Sequence, residues 1–128
     1  MKLSESQKAK WIDTLKELGY LSEDDNLVEH TAGDLWEMIV TKTSGNFFFT
    51  EKNLIFIGGM LGGSNTCVPY DKITEIIRCN VGGLIPFMPT GIKVTYTNEK
   101  GNQAKMVCSV LKRTDWIEFL NSRCNVSC

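Results

Sequence analysis

The residues able to do chemistry in this chain are few and scattered. Five cysteines, Cys67, Cys79, Cys108, Cys124 and Cys128, make an odd number with no Cys-x-x-Cys pair among them. Three of them fall inside predicted strands, so reduced core thiols fit better than a disulfide framework or a zinc site. A metal site would also lack nitrogen ligands, because His30 is the single histidine and lies far from every cysteine in sequence. Glu29 is its neighbour, but nothing nearby supplies the serine or cysteine nucleophile and orienting carboxylate of a triad. The run Glu23-Asp24-Asp25 lacks the alternating oxygen ligands and central glycine of a calcium loop, so it reads as a solvated acidic turn. Paired carboxylates at useful spacing are absent. The expectation is therefore a protein that is not an enzyme and carries no metal or cofactor.

Binding is the alternative to catalysis, and two stretches are apolar where loops are normally polar. One is Gly58-Gly59-Met60-Leu61-Gly62-Gly63 and the other is Val81-Gly82-Gly83-Leu84-Ile85-Pro86-Phe87-Met88-Pro89. Neither ends in the Gly-Lys-Ser/Thr of a phosphate-cradling loop. Apolar loops of this kind mark a protein partner, a membrane surface or an oligomer contact. Met60, Leu61, Leu84, Ile85, Phe87 and Met88 are the candidate binding residues. For the second loop, folding back over the core beside Trp36 or the N-terminal helix is the competing placement, since Pro86 and Pro89 stiffen it.

The chain as a whole sets the frame for such a site. With 128 residues and 42% hydrophobic composition it can build one domain with a core, and it is too short for two ordinary ones. Fourteen Lys+Arg against fifteen Asp+Glu leave a formal net charge of −1, so no global field draws it to nucleic acid. Residues 1–7 contain no apolar signal region and no later run is long enough to span a membrane, which predicts a cytoplasmic protein. The C-terminal cysteines do not form a prenylation box, because Asn125 occupies the required fourth position from the end. Asn125-Val126-Ser127 is a glycosylation sequon only in a secreted chain.

The elements follow from periodicity. Ser4 with Gln7 makes a capping box, and Trp11, Ile12, Leu15 and Leu18 recur at helical spacing until Gly19 ends the helix. Its polar face mixes signs, which favours a helix laid across the fold or onto a second subunit over a membrane-surface helix. Residues 21–33 read as an acidic connector, so the N-terminal appendage is residues 1–34 and the domain proper 35–128. Strands are predicted over Leu35–Lys42, in the hairpin Gly45–Ile57, over Thr66–Pro69, Ile73–Cys79, Gly91–Thr97 and Ala104–Val110. The hairpin holds four of the six phenylalanines and needs other strands to bury them. Gly101 falls where the last hairpin requires a positive φ. Trp116, Ile117, Phe119 and Leu120 form one stripe of a terminal helix over Lys112–Arg123.

These residues also carry a resemblance. Gly45, Phe47, Phe49, Thr50, Leu54, Ile55 and Phe56, followed by Val68, Pro69, Tyr70, Ile73 and Ile76, resemble the signature of bacterial PH-like and GRAM-type domains. The resemblance spans roughly residues 35 to 124. It implies a mainly β fold: about seven antiparallel strands in two near-orthogonal sheets forming a partly open barrel, with a C-terminal capping helix and here an extra N-terminal helix. Strand number argues in the same direction, since a lipocalin-like barrel would need more strands and an OB barrel usually has five. The resemblance also implies a binding or scaffold module. Phosphoinositide-binding PH domains read phosphates with a basic cluster in the first hairpin loop, which here is Lys42-Thr43-Ser44-Gly45-Asn46 with a single lysine. Lys42, Lys52, Lys93 and Lys105 could converge in space, although lysines on exposed strand faces commonly serve solubility. The expected function is thus a non-catalytic module engaging a protein partner or a second copy of itself through its apolar loops; membrane lipid is the alternative ligand.

Overall fold

The computed structural model of the protein describes residues 4–36, 42–59, 64–82 and 88–124. The first helix, α1 (Glu5–Glu17), opens with the capping box read from the sequence: Gln7 N–H donates to Ser4 Oγ (3.3 Å) and Ser4 N–H donates to Gln7 Oε1 (3.1 Å). Gly19, at φ 79°, ends it.

Seven strands follow: β1 (Leu27–Trp36), β2 (Lys42–Thr50), β3 (Asn53–Gly58), β4 (Ser64–Pro69), β5 (Ile73–Val81), β6 (Met88–Thr97) and β7 (Gln103–Ser109). They pair antiparallel in one sheet, ordered β4-β3-β2-β1-β7-β6-β5. A second helix, α2 (Arg113–Arg123), completes the chain order. The mainly β class, the seven strands and the helix at each end agree with expectation. In place of the two near-orthogonal sheets expected, the strands form a single hydrogen-bonded sheet. β1 pairs with β2 along its length and with β7 through Asp34, Leu35 and Trp36, and this short seam joins a four-stranded and a three-stranded meander into one hydrogen-bonded sheet. β4 and β5 are its two outer strands, so the sheet does not close into a barrel.

Strand alternation sorts the hairpin side chains onto two faces. Phe47, Phe49, Leu54 and Phe56 point inward and are buried with Val68, Ile76, Val94 and the α2 residues Ile117 and Leu120. Phe49 stacks on Trp116 with centroids 4.4 Å apart, and Phe119 meets it edge-on at 5.3 Å. Phe48 and Ile55 point outward, where Trp11, Ile12 and Leu15 of α1 cover them. At about 1.5–3 kcal/mol per buried large side chain, this doubly covered hairpin contributes strongly to the stability of the fold.

Three further sequence expectations change. Of the strand expected over residues 35–42, Leu35 and Trp36 end β1 and Lys42 begins β2, paired antiparallel with Trp36, while residues 37–41 lie outside the described ones. β1 itself begins at Leu27, inside the stretch read as a connector, and runs through the boundary drawn between residues 34 and 35. The acidic turn is also only partly solvated. Asp25 is 4% exposed, and its Oδ1 accepts from the N–H of Asn26 (2.8 Å) and of Glu51 (3.0 Å), fastening the turn to the β2–β3 hairpin.

Candidate functional site

Strand direction decides which loops share a surface. β1, β3 and β6 run one way, and β2, β4, β5 and β7 the other. The connection after β3 therefore leaves the sheet at the same end as the connection after β1, whereas the connection into β6 leaves at the opposite end. Met60, Leu61, Leu84, Ile85 and Phe87 lie outside the described residues, and their flanks are set at those opposite ends. Met88 is described: it is half-buried, begins β6 and pairs with Val81. The described flanks of the two apolar stretches thus lie at opposite ends of the sheet.

At the end of the sheet where β6 begins, Leu111 is 78% exposed. Val110 N–H donates to the carbonyl of Thr90 (3.2 Å), and the Thr90 and Ser109 hydroxyls are 2.7 Å apart, so Leu111 emerges beside the start of β6. Lys112 then adopts a left-handed conformation (φ 56°, ψ 46°) as the chain enters α2. For a non-glycine residue that conformation costs roughly 1–2 kcal/mol. Sequence reasoning missed Leu111, since a leucine between a strand and an amphipathic helix ordinarily reads as core.

Below Leu111 lies a cleft of about 550 Å³ whose floor is the first half of β1, Leu27 to Thr31. Glu5 and Lys8 of α1 form one wall and Leu111, Lys112 and Trp116 the other. His30 is fixed there: its Nε2–H donates to Asn46 Oδ1 (2.8 Å) and its ring lies 5.1 Å from that of Phe48. A second cleft, of about 490 Å³, lies between the β2–β3 turn, the β4–β5 corner and the end of α2. Its cationic groups are already engaged, Lys52 with Asp24 (2.6 Å) and Arg123 over the Phe119 ring (5.1 Å).

The four lysines that could have converged are spread out. Lys52 sits at the far end of the hairpin from Lys42. Lys42 lies over the Trp36 ring (5.9 Å) and 3.5 Å from Asp34. The register Lys42–Trp36–Val107–Lys93 places Lys93 three strand spacings away, about 14 Å. Lys93 and Lys105 lie on the neighbouring strands β6 and β7, opposite Val107 and Thr95 respectively.

The thiols show no activation. Cys67, Cys79, Cys108 and Cys124 are free. Burial pushes Cys67 and Cys124 up to about 11 and raises Cys79 and Cys108 as well, the reverse of what a reactive thiolate needs. Among the described residues no three His, Cys, Asp or Glu side chains are grouped to hold a metal, and no helix is long and apolar enough to cross a membrane.

No protein-family model and no curated protein matches the chain. Its fold is similar to the crystal structure of the C-terminal domain of an unknown protein from Leishmania infantum, with a TM-score of 0.66 and 17% sequence identity over 91% of this chain and 95% of that one. At that identity the likeness concerns the fold alone.

Proposed function

We propose that the chain is a non-catalytic, PH-like or GRAM-like binding module that engages a protein partner, or a second copy of itself, at the end of the sheet where Leu111 emerges. The observation that carries this reading is Leu111, a large apolar side chain left 78% exposed beside the connection whose sequence supplies Leu84, Ile85, Phe87 and Met88. If those side chains gather with Leu111 they would make an apolar patch at the mouth of a cleft, the kind of surface that marks an interaction site. The test is sedimentation equilibrium over rising concentration. Wild-type protein should self-associate, and Leu111→Asp and Phe87→Asp should each be monomeric with unchanged circular dichroism. A wild-type protein that stays monomeric throughout removes the second copy as the partner.

A peripheral lipid contact at the opposite end is the competing reading. There Trp36, with Lys42 over its ring, flanks a connection carrying Met38, Ile39 and Val40, beside another carrying Met60 and Leu61. Aromatic and basic residues around apolar ones suit a membrane interface. Co-sedimentation with anionic vesicles, lost on Trp36→Ala, would favour that reading.

A further inference from the structure

β1 has two edges, and only one is fully used. On the β2 side it is paired from Leu27 to Trp36. On the β7 side pairing covers Asp34, Leu35 and Trp36, and among the described residues no strand lies against Leu27 to Gly33. The main-chain groups of that half-strand that point away from β2 therefore lack a ladder. Backbone N–H and C=O groups are obligatory hydrogen-bonding groups, and an open strand edge is a template for another strand. This edge is also recessed: it floors the cleft of about 550 Å³, with Glu5 and Lys8 on one side and Leu111, Lys112 and Trp116 on the other.

From this geometry we infer that the cleft takes an extended peptide segment of a partner protein, which adds to the free edge of β1 as an extra strand. The inference rests on the reading of the domain as a protein-binding module and names the chemistry of the partner. A sunken edge excludes side-by-side pairing of two whole sheets, because the walls keep a second folded domain off it; a single extended chain can enter. Five residues, Leu27 to Thr31, span about 17 Å of ladder at ~3.3 Å each, enough to hold a short segment in register. Main-chain pairing supplies affinity, and alternate side chains supply selectivity. One face of the added strand would meet Trp116 and Leu111, so apolar residues suit it. Glu5 and Glu29 beside Lys8 and Lys112 suit a segment with both charges at its ends.

Amide hydrogen exchange on the full chain tests this. In the free protein the outward-facing amides of residues 27–33 should exchange quickly although they lie within a strand. The probe is an end-capped octapeptide of alternating valine and threonine with a terminal lysine and a terminal glutamate. At millimolar concentration it should slow those amides at least tenfold. The same peptide N-methylated along one edge should not, and Leu111→Asp should weaken the protection. Unchanged exchange with the peptide present, or amides already protected in the free protein, would overturn the strand addition. The two readings fail separately. Self-association abolished by Leu111→Asp with unaltered exchange would keep the surface and remove the strand, whereas peptide protection in a strictly monomeric protein would keep the strand and remove self-association.

Discussion

Replacing Tyr70 by phenylalanine isolates one bond that ties the two halves of the fold. Tyr70 is 5% exposed, and its hydroxyl donates to the main-chain carbonyl of Thr50 at 2.7 Å. Its own N–H donates to the carbonyl of Lys52 (3.0 Å), so the corner between β4 and β5 is fastened twice to the β2–β3 turn. That turn is itself held by Thr50, whose Oγ1 accepts from the N–H of Asn53 (2.8 Å) and of Lys52 (3.2 Å). Phenylalanine keeps the ring and its packing while deleting the donor. The expected loss is the hydrogen bond plus a poorly satisfied buried carbonyl, about 1–3 kcal/mol. For 128 residues at ~2.1 cal/mol/K each, the unfolding entropy is about 0.27 kcal/mol/K, which converts that loss to roughly 4–11 °C in Tm. Thermal unfolding followed by circular dichroism at neutral pH reads it directly. A shift below about 1 °C, with two-state melts for both proteins, would refute the tie. Burial also raises the Tyr70 pKa, so phenol ionisation in the wild type should lag behind exposed tyrosine in an alkaline titration.

Trp116→Ala removes the ring stacked on Phe49 and should cost about 3–5 kcal/mol, at the lower end because Trp116 is only half-buried; an unchanged urea midpoint would contradict the packing of α2. Gly45→Ala places a methyl 2.4 Å from the carbonyl of Ile57 and 2.6 Å from the Cα of Gly58, both main-chain atoms that cannot swing aside. A loss of about 1–3 kcal/mol in urea unfolding is expected, and a neutral result would mean that β2 and β3 are not so close. The thiols of Cys67 and Cys124, raised from 9.0 to about 11, hold their protons longer in the folded than in the unfolded state. Their contribution to stability should be complete below pH 9 and fade as pH rises through 11, measurable as a falling Tm. Iodoacetamide at pH 8 should label the described thiols slowly in native protein, whereas all five cysteines should react in urea.

The hairpin was legible because its residues satisfy local and long-range demands together. Phe47, Phe49, Leu54 and Phe56 alternate, flank a short polar turn and are all buried. Ser4, Gly19 and Gly101 were legible for a similar reason, since each supplies a local backbone requirement met at its own position. β1 was not. Its Thr31-Ala32-Gly33-Asp34 run contains residues depleted in strands, and only pairing on β2 makes it one. Gly33 fits there because a Cβ would stand 2.6 Å from the carbonyl of Ser109, a contact set by a strand distant in sequence. The candidate site was legible in part. The apolar stretches stand out in composition, but the placement of their described flanks at opposite ends of the sheet follows from strand direction, which composition does not carry. Leu111 stayed hidden because its exposure depends on the turn at Lys112.

That turn also explains why the cleft exists. Continuing the β1–β7 register past Ser109 opposite Asp34 would set Val110 against Gly33 and Leu111 against Ala32, and would begin to cover the open edge. The chain does not continue. Val110 still donates to Thr90 on β6, but pairing with β1 has already ended, and Val110 turns its side chain into the core. Lys112, in its left-handed conformation, then directs the chain into α2, where Trp116 and Phe119 reach back to Phe49. The junction from Val110 to Lys112 therefore leads the chain into α2, exposes Leu111, and leaves the β7-side edge of the first part of β1 without a partner strand among the described residues. A strained backbone at such a junction is better accounted for by what it leaves open than by the helix alone, because α2 has no side-chain cap at Lys112 to offset the strain. Lys112→Gly should accordingly relax the turn and raise stability, and faster exchange of the α2 amides in that variant would show that the left-handed residue is instead required to hold the helix.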